Sequence, residues 1–155
     1  IKIKKTKTVS GEDVGDIKVS YSSLNGIKIK AASSPYLIDE YPILSIAASQ
    51  AKGFTIMEGL SELRHKESDR IKSIVTNLSK IGFNVNSKKD DISIEGSNKI
   101  EIINQINIKT YGDHRIAMSF KILSLLYKNK LIIDDDSCIS ISYPDFKKHL
   151  KKLST

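Results

Sequence analysis

Arg70-Ile71-Lys72-Ser73-Ile74-Val75-Thr76-Asn77-Leu78-Ser79-Lys80-Ile81-Gly82-Phe83-Asn84-Val85-Asn86 carries two periods in succession. Ile71, Ile74, Val75, Leu78 and Ile81 recur at helical spacing, and Lys72, Ser73, Thr76, Asn77 and Lys80 fill the opposite face. The pattern predicts an amphipathic helix with Ser68 or a near neighbour as its cap and Gly82 as its end. Phe83 to Asn86 then reads as a strand. Lys88 to Asp91 is a polar turn, and Ile92 to Glu95 completes a hairpin.

Working outward, the same alternation recurs on both sides. Upstream, Ile17 to Tyr21 and Ile27 to Ala31 alternate apolar and polar around Asn25-Gly26, which predicts a hairpin there. Ala32 to Pro35 is a small-residue loop. Asp39 is the expected cap of a helix with Pro42 in its first turn, the apolar stripe Ile43, Leu44, Ala47, Ala48 and Ala51, and Gly53 as its stop. Phe54 to Glu58 reads as a short buried strand. Downstream come a strand-rich Ile100 to Ile108, a loop at Thr110 to Asp113, and a helix bearing Ile116, Phe120, Leu123 and Tyr127. Leu131 to Ile133 is a strand, Ile139 and Ile141 alternate with serines, and Pro144 is expected to open a last helix with Phe146, Leu150 and Leu153. Strands and helices alternate in two similar passages, about 17–95 and 98–155, so the expected class is α/β with weak internal repetition, within one domain spanning 1–155.

Composition narrows the class further. The 155 residues are one ordinary domain, and 39% hydrophobic against 28% charged residues suits a globule. Twenty-five Ile and no Trp mean that Ile fills the core. No apolar run reaches the length of a membrane span. A lone Cys138 excludes an internal disulfide framework and fits a reducing compartment, so a cytoplasmic location is expected. The net charge of +7 invites nucleic acid, yet Lys2, Lys4, Lys5, Lys7, Lys147, Lys148, Lys151 and Lys152 sit at the two ends. Without them the chain is close to neutral and shows no basic stripe interleaved with aromatics, so neither nucleic acid nor membrane is an expected partner. The chain opens Ile-Lys-Ile-Lys-Lys, with no apolar stretch of a signal peptide behind it. An engineered boundary, a processed product or a piece of a longer chain is expected.

Against 22 Lys there are three Arg: Arg64, Arg70 and Arg115. In such a background an Arg suggests planar, two-pronged recognition of carboxylate or phosphate, which Lys does badly. All three lie in two polar stretches that precede or open predicted helices, Glu62 to Arg70 and Gly112 to Arg115. A helix N-terminus favours anions. Lys66 and Arg70, four apart, are expected to share one face of the first turns, and Glu67 beside them could move a proton if the site is dry. The plainer alternative is a capped helix start with surface ion pairs. Asp113 is the expected cap of the second stretch, with His114 unremarkable alone. Asp39-Glu40 can be ordinary first-turn acids, Asp134-Asp135-Asp136 a solvated turn, and Cys138 a buried structural thiol.

Ile38-Asp39-Glu40-Tyr41-Pro42, Glu62-Leu63-Arg64 with Lys66-Glu67-Ser68-Asp69-Arg70, Asp113-His114-Arg115-Ile116-Ala117-Met118 and Ser142-Tyr143-Pro144 follow in that order. Together they resemble the C-terminal part of the 5-enolpyruvylshikimate-3-phosphate synthase (3-phosphoshikimate 1-carboxyvinyltransferase) family. Gly11-Glu12-Asp13 and Val19 fit the same alignment. The resemblance implies repeated βαβαββ-type units of the enolpyruvyl transferase fold, with helices buried under sheets. It implies transfer of the enolpyruvyl group of phosphoenolpyruvate to the 5-hydroxyl of shikimate 3-phosphate with release of phosphate, in aromatic amino acid biosynthesis and without metal or organic cofactor. By the same resemblance Asp39 contacts the shikimate hydroxyl as candidate base, and Glu67 is the candidate acid for the C3 methylene. Lys66 lies between the two substrates, Arg70 and Arg115 grip phosphoenolpyruvate, and His114 supports them.

Three departures bear on that expectation. Ser140-Ile141-Ser142 lacks the Lys that many members carry before this Tyr-Pro segment, which removes one expected contact. His65 stands where an aliphatic residue is usual. The family's N-terminal part, which supplies most shikimate-phosphate contacts, is absent from these 155 residues and is the implied partner. A non-catalytic remnant or an anion-binding module of the same fold is therefore the alternative to an enzyme half-site. The related UDP-N-acetylglucosamine enolpyruvyltransferase shares the fold but fits the Lys-Glu-Ser-Asp-Arg pattern poorly.

Overall fold

A computed structural model describes residues 1–153; Ser154 and Thr155, the end of the expected second unit, lie outside the described residues. The opening segment is a hairpin of β1 (Lys2–Val9) and β2 (Glu12–Lys18), antiparallel and exposed along its whole length. Next come β3 (Lys28–Ile29), a short α1 (Ser34–Leu37) and α2 (Tyr41–Ser49). β4 (Gly53–Met57), α3 (Arg70–Ile81), β5 (Asn84–Lys88) and β6 (Asp91–Gly96) complete that run. These strands form one sheet in the order β3-β4-β6-β5, with β3 parallel to β4 and the rest antiparallel. β7 (Ile106–Ile108), α4 (His114–Leu126) and β8 (Leu131–Ile133) make a separate parallel pair with its crossover helix, followed by α5 (Cys138–Ser142) and α6 (Phe146–Leu153).

The opening stretch folds as its two periods require. Ile71, Ile74 and Leu78 are at most 1% exposed, and they meet Ile92 and Ile94 of β6 and Phe120 and Leu123 of α4 in one core. Each such side chain contributes about 1.5–3 kcal/mol by leaving water. Gly82 ends α3 at φ 112°, a left-handed backbone that disfavours side chains. The cap is Asp69, the neighbour of Ser68: its carboxylate accepts from the Lys72 amide at 3.0 Å. Ser73 and Asn77, which the pattern puts on the polar face, are buried. Asn77 exchanges two hydrogen bonds with the Lys109 backbone, of 2.8 and 3.0 Å, and so ties α3 to the segment that leads into α4.

Several upstream expectations are corrected. Asn25-Gly26 turns no hairpin: Ile17 and Lys18 end β2, which pairs back to β1, and β3 runs parallel to β4. Gly26 instead lies so close to the Phe54 carbonyl that a Cβ would overlap it. Asp39 does not cap α2; Glu40 holds that position without a side-chain bond. α2 stops at Gln50, and Gly53 opens β4 at φ 80°. Phe54 is exposed, with Thr55 and Met57 buried. Only Ile106–Ile108 of the Ile100 to Ile108 run is strand. Cys138–Ser142 is helical rather than alternating, and Pro144 lies outside α6, which starts at Phe146. Cys138 is buried, as expected, in a satellite core with Ala117, Ile139 and Phe146.

Tyr41 is 0% exposed and its hydroxyl has no hydrogen-bond partner among the described residues. A buried unpaired hydroxyl costs about 1–3 kcal/mol. Tyr41→Phe is therefore expected to hold stability or raise it by about 1 kcal/mol in urea melts. A clear loss would mean that the hydroxyl is paired.

Candidate functional site

Three chain entries into helices meet at one place. Asp39 and Glu40 precede α2, Asp69 caps α3 with Arg70 as its first residue, and Asp113 caps α4 with His114 and Arg115 opening it. Asp113 is fully buried. One of its oxygens accepts from the amides of Arg115 at 2.9 Å and Ile116 at 3.3 Å. The other accepts from Arg70 Nε at 2.8 Å and from Ser68 Oγ at 3.1 Å. One carboxylate thereby caps α4 and fixes the first residue of α3.

Arg70 is only 1% exposed, and each edge of its guanidinium is taken. Nε meets Asp113, Nη1 meets Asp39 at 2.9 Å, and Nη2 meets Glu67. Burial works against its charge, but the Asp113 hydrogen bond, with Asp39 and Glu67, raises its pKa above the usual value. Arg115 is more accessible. Its Nη1 donates to the Asp39 carbonyl at 2.9 Å and lies 3.4 Å from Glu40, and its Nη2 lies 3.5 Å from the Asp39 carboxylate. Asp39 is thus shared by both arginines, with Lys66 Nζ at 3.9 Å. Burial pushes the Asp39 carboxyl up, but the Arg70 hydrogen bond and the charges of Arg115, Arg70 and Lys66 outweigh it and hold it below the usual range.

The structure brings together Asp39, Lys66, Glu67, Arg70 and Arg115, and sets His114, partly buried, beside Arg115 at the start of α4. Two details differ from expectation. Lys66 is not on the helix: it sits in extended backbone after a 3-10 turn at Ser61–His65 and bonds Glu62 at 2.9 Å. Glu67 is half exposed and meets Arg70, so its surroundings are not dry. The surface is open. A cleft of about 920 Å³ lies away from this cluster, at the other ends of the helices, near Ala51, Gly82 and Gly96. Periodicity missed the bond of Ser68 to Asp113 and the double service of Asp113, because side chains that pair across helices look in sequence like ordinary caps. Asp134 accepts from the Thr110 amide and hydroxyl, both at 2.9 Å, and so braces the loop before Asp113. Asp136 pairs with Lys121 at 2.7 Å and Lys147 at 2.9 Å. Among the described residues no group of three His, Cys, Asp or Glu could hold a metal ion, and no helix is long and apolar enough to cross a membrane.

The pKa shifts predict acid sensitivity. Hydrogen bonds from Lys121 and Lys147 hold Asp136 below its usual range, as the arginines do Asp39. A depressed folded pKa contributes stability that is whole above the unfolded value of about 3.9 and is lost as pH falls through the folded one. Urea midpoints should therefore drop below about pH 4, and Asp136→Asn should flatten the drop. Equal slopes for variant and wild type would count against the pairing.

Comparison with known proteins covers nearly the whole chain. The family model described as EPSP synthase (3-phosphoshikimate 1-carboxyvinyltransferase) matches residues 2–150. A 3-phosphoshikimate 1-carboxyvinyltransferase of Petrotoga mobilis is 44% identical over 153 residues, which are 99% of this chain and 35% of that protein. One from Sulfurihydrogenibium sp. is 42% identical over 154 residues, again 99% and 35%. Among solved structures, an EPSP synthase from Acinetobacter baumannii aligns with TM-score 0.84 at 32% identity, over 97% of this chain and 35% of that one. The chain spans about a third of the length of the curated relatives it matches.

Proposed function

This chain belongs to the EPSP synthase family, and on that premise we propose that it supplies the C-terminal part of an enolpyruvyl-transfer site. The observation that supports the reading is the Asp39 carboxylate shared by Arg70 and Arg115, with Lys66 and Glu67 on the same surface. In this reading Arg70 and Arg115 hold the carboxylate and phosphate of phosphoenolpyruvate, with His114 in support. Asp39 takes the proton of the 5-hydroxyl of shikimate 3-phosphate while that oxygen bonds to C2 of phosphoenolpyruvate. Glu67 gives a proton to C3, so the double bond becomes a methyl group in a tetrahedral intermediate. Glu67, now a carboxylate, takes back one methyl proton as phosphate leaves with its electron pair, which restores the double bond, and Lys66 offsets the charge of the leaving group. Each step uses side chains alone, without metal or organic cofactor. The rest of the enzyme is the partner that closes the other wall. We read residues 1–155 as part of one domain with two units, about 17–95 and 98–155. β3-α2-β4-α3-β5-β6 supports a whole βαβαββ unit and β7-α4-β8 the start of a second.

A second reading, a non-catalytic remnant or anion-binding module of the same fold, is favoured on its remnant side by the Arg70 guanidinium being already met by three carboxylates. A chimera separates the two: this chain replaces the matching third of the Petrotoga mobilis relative, and phosphate release is followed with both substrates. The chimera is expected to turn over, and Glu67→Gln to cut kcat at least about 100-fold. A chimera that folds and binds both substrates without turnover would favour the module. Alone, the 155-residue chain is expected to give no turnover, since an open surface cannot preorganise both substrates.

A further inference from the structure

Of the three arginines set in a lysine background, the proposed chemistry uses two, and Arg64 is left over. Arg64 lies 33% exposed at the end of the 3-10 turn. Its Nε donates to Asp90 at 3.0 Å, its Nη1 to Asp69 at 3.1 Å and its Nη2 to the Lys89 carbonyl. Lys89 and Asp90 form the turn of the β5–β6 hairpin, and Asp69 is the cap of α3. Two further bonds fasten the chain before the 3-10 turn to the same hairpin: Leu60 N to the Asp90 carbonyl at 2.7 Å, and Gly59 N to Asp91 at 2.9 Å. The hairpin is a firm anchor, since Ile92 and Ile94 of β6 are fully buried.

Between Arg64 and Asp69 the chain carries Lys66 and Glu67. Lys66 pairs with exposed Glu62 and lies 3.9 Å from Asp39, and half-exposed Glu67 pairs with Arg70, so polar contacts rather than apolar packing place both. We propose that Arg64 is a positioning residue: its planar fork ties the β5–β6 turn to the α3 cap and so sets the Lys66-Glu67 segment against Arg70. This rests on the anion-site reading above for its functional consequence. Three acceptors on two separate segments, met by one rigid group, explain why Arg stands here; a lysine ammonium is a single point on a flexible stem. Partly exposed ion pairs add little to global stability. The effect is therefore local order, and the melting temperature moves little.

The test is phosphoenolpyruvate titrated into the ¹⁵N-labelled 155-residue chain at low salt, with melting temperatures recorded. Wild type should show saturating shifts at Lys66 to Ile71 and Gly112 to Met118. Arg64→Ala should weaken binding at least fivefold while still melting within a few degrees of wild type, and Arg64→Lys should recover little of the loss. Guanidinium chloride added to Arg64→Ala should restore binding where equal sodium chloride does not. Full binding by Arg64→Lys would overturn the proposal, because charge alone would then suffice. So would a loss in Arg64→Ala that merely follows its unfolded fraction. If wild type itself shows no shifts in those segments, the anion reading fails, and amide exchange then decides the positioning role. Arg64→Ala must speed exchange at Lys72 and Ser73, both bonded to Asp69, at least tenfold with the β5 and β6 amides unchanged. Uniform acceleration, or none, overturns it.

Discussion

Asp113→Ala is expected to lose about 3–5 kcal/mol of folding stability, the cost of breaking a buried ion pair from one side. Asp113 is 0% exposed and Arg70 1% exposed, so neither can turn to water when its partner goes. The variant strips α4 of its cap, leaves Ser68 without its acceptor and strands Arg70 Nε in the core. Asp113→Asn should be intermediate. Its amide oxygen can still cap α4, but its NH₂ group then faces two donors, Arg70 Nε and Ser68 Oγ. Asp136→Ala is the control: it breaks ion pairs nearer the surface, each worth about 0–1 kcal/mol. Urea unfolding of the three variants reads the ranking directly. A loss below about 1 kcal/mol for Asp113→Ala would show that the Arg70–Asp113 pair does not hold α3 to α4.

The same pair marks where sequence reading ran out. α3, its glycine stop and the β5–β6 hairpin were legible because one period of 3.6 gives way to one of 2 with a turn between. α4 and its Asp113 cap were legible for the same reason. Asn25-Gly26 misled because the dipeptide signals a tight turn only when both flanking runs pair with each other. Here Gly26 is required by the closeness of the Phe54 carbonyl, a contact distant in sequence. Asp39 misled in the same way: a carboxylate before a helix reads as a cap, yet two arginines from other helices claim it. The burial of Asn77 was hidden because its partner, the Lys109 backbone, lies on another segment, and that of Ser73 because its hydroxyl turns back to the Asp69 carbonyl at the start of its own helix. The site residues themselves were named through the ordered family segments and the rarity of Arg. What no pattern carried was the closure of the cluster, in which Arg70 meets three carboxylates.

That closure sets the second large effect: anion binding by this chain should be weak, salt-sensitive and dependent on Arg115. Phosphoenolpyruvate is expected to bind in the millimolar range, about 4 kcal/mol. To reach Arg70 an anion must displace Asp39 or Glu67, both already bonded to it. Arg115 keeps one 2.9 Å bond, to the Asp39 carbonyl, but its contacts to the Glu40 and Asp39 carboxylates are longer and it is a third exposed, so it can turn to the anion at less cost. Arg115→Ala should therefore weaken binding at least about tenfold, or 1.4 kcal/mol, with little change in melting temperature. Glu67→Gln should act the other way. Removing that charge leaves Arg70 less neutralised, and the anion should bind several-fold tighter, although the same variant is expected to lose turnover in the chimera. Raising salt from low to physiological strength should weaken the wild type, because these groups are open to water. NMR shifts at Lys66 to Ile71 and Gly112 to Met118 report the site. Shifts gathered instead at Lys147 to Lys152 would mean that the anion meets only the basic last helix. Glu67→Gln binding more weakly than wild type would mean that the anion contacts Glu67 as a partner, and that Arg70 is not held back by it.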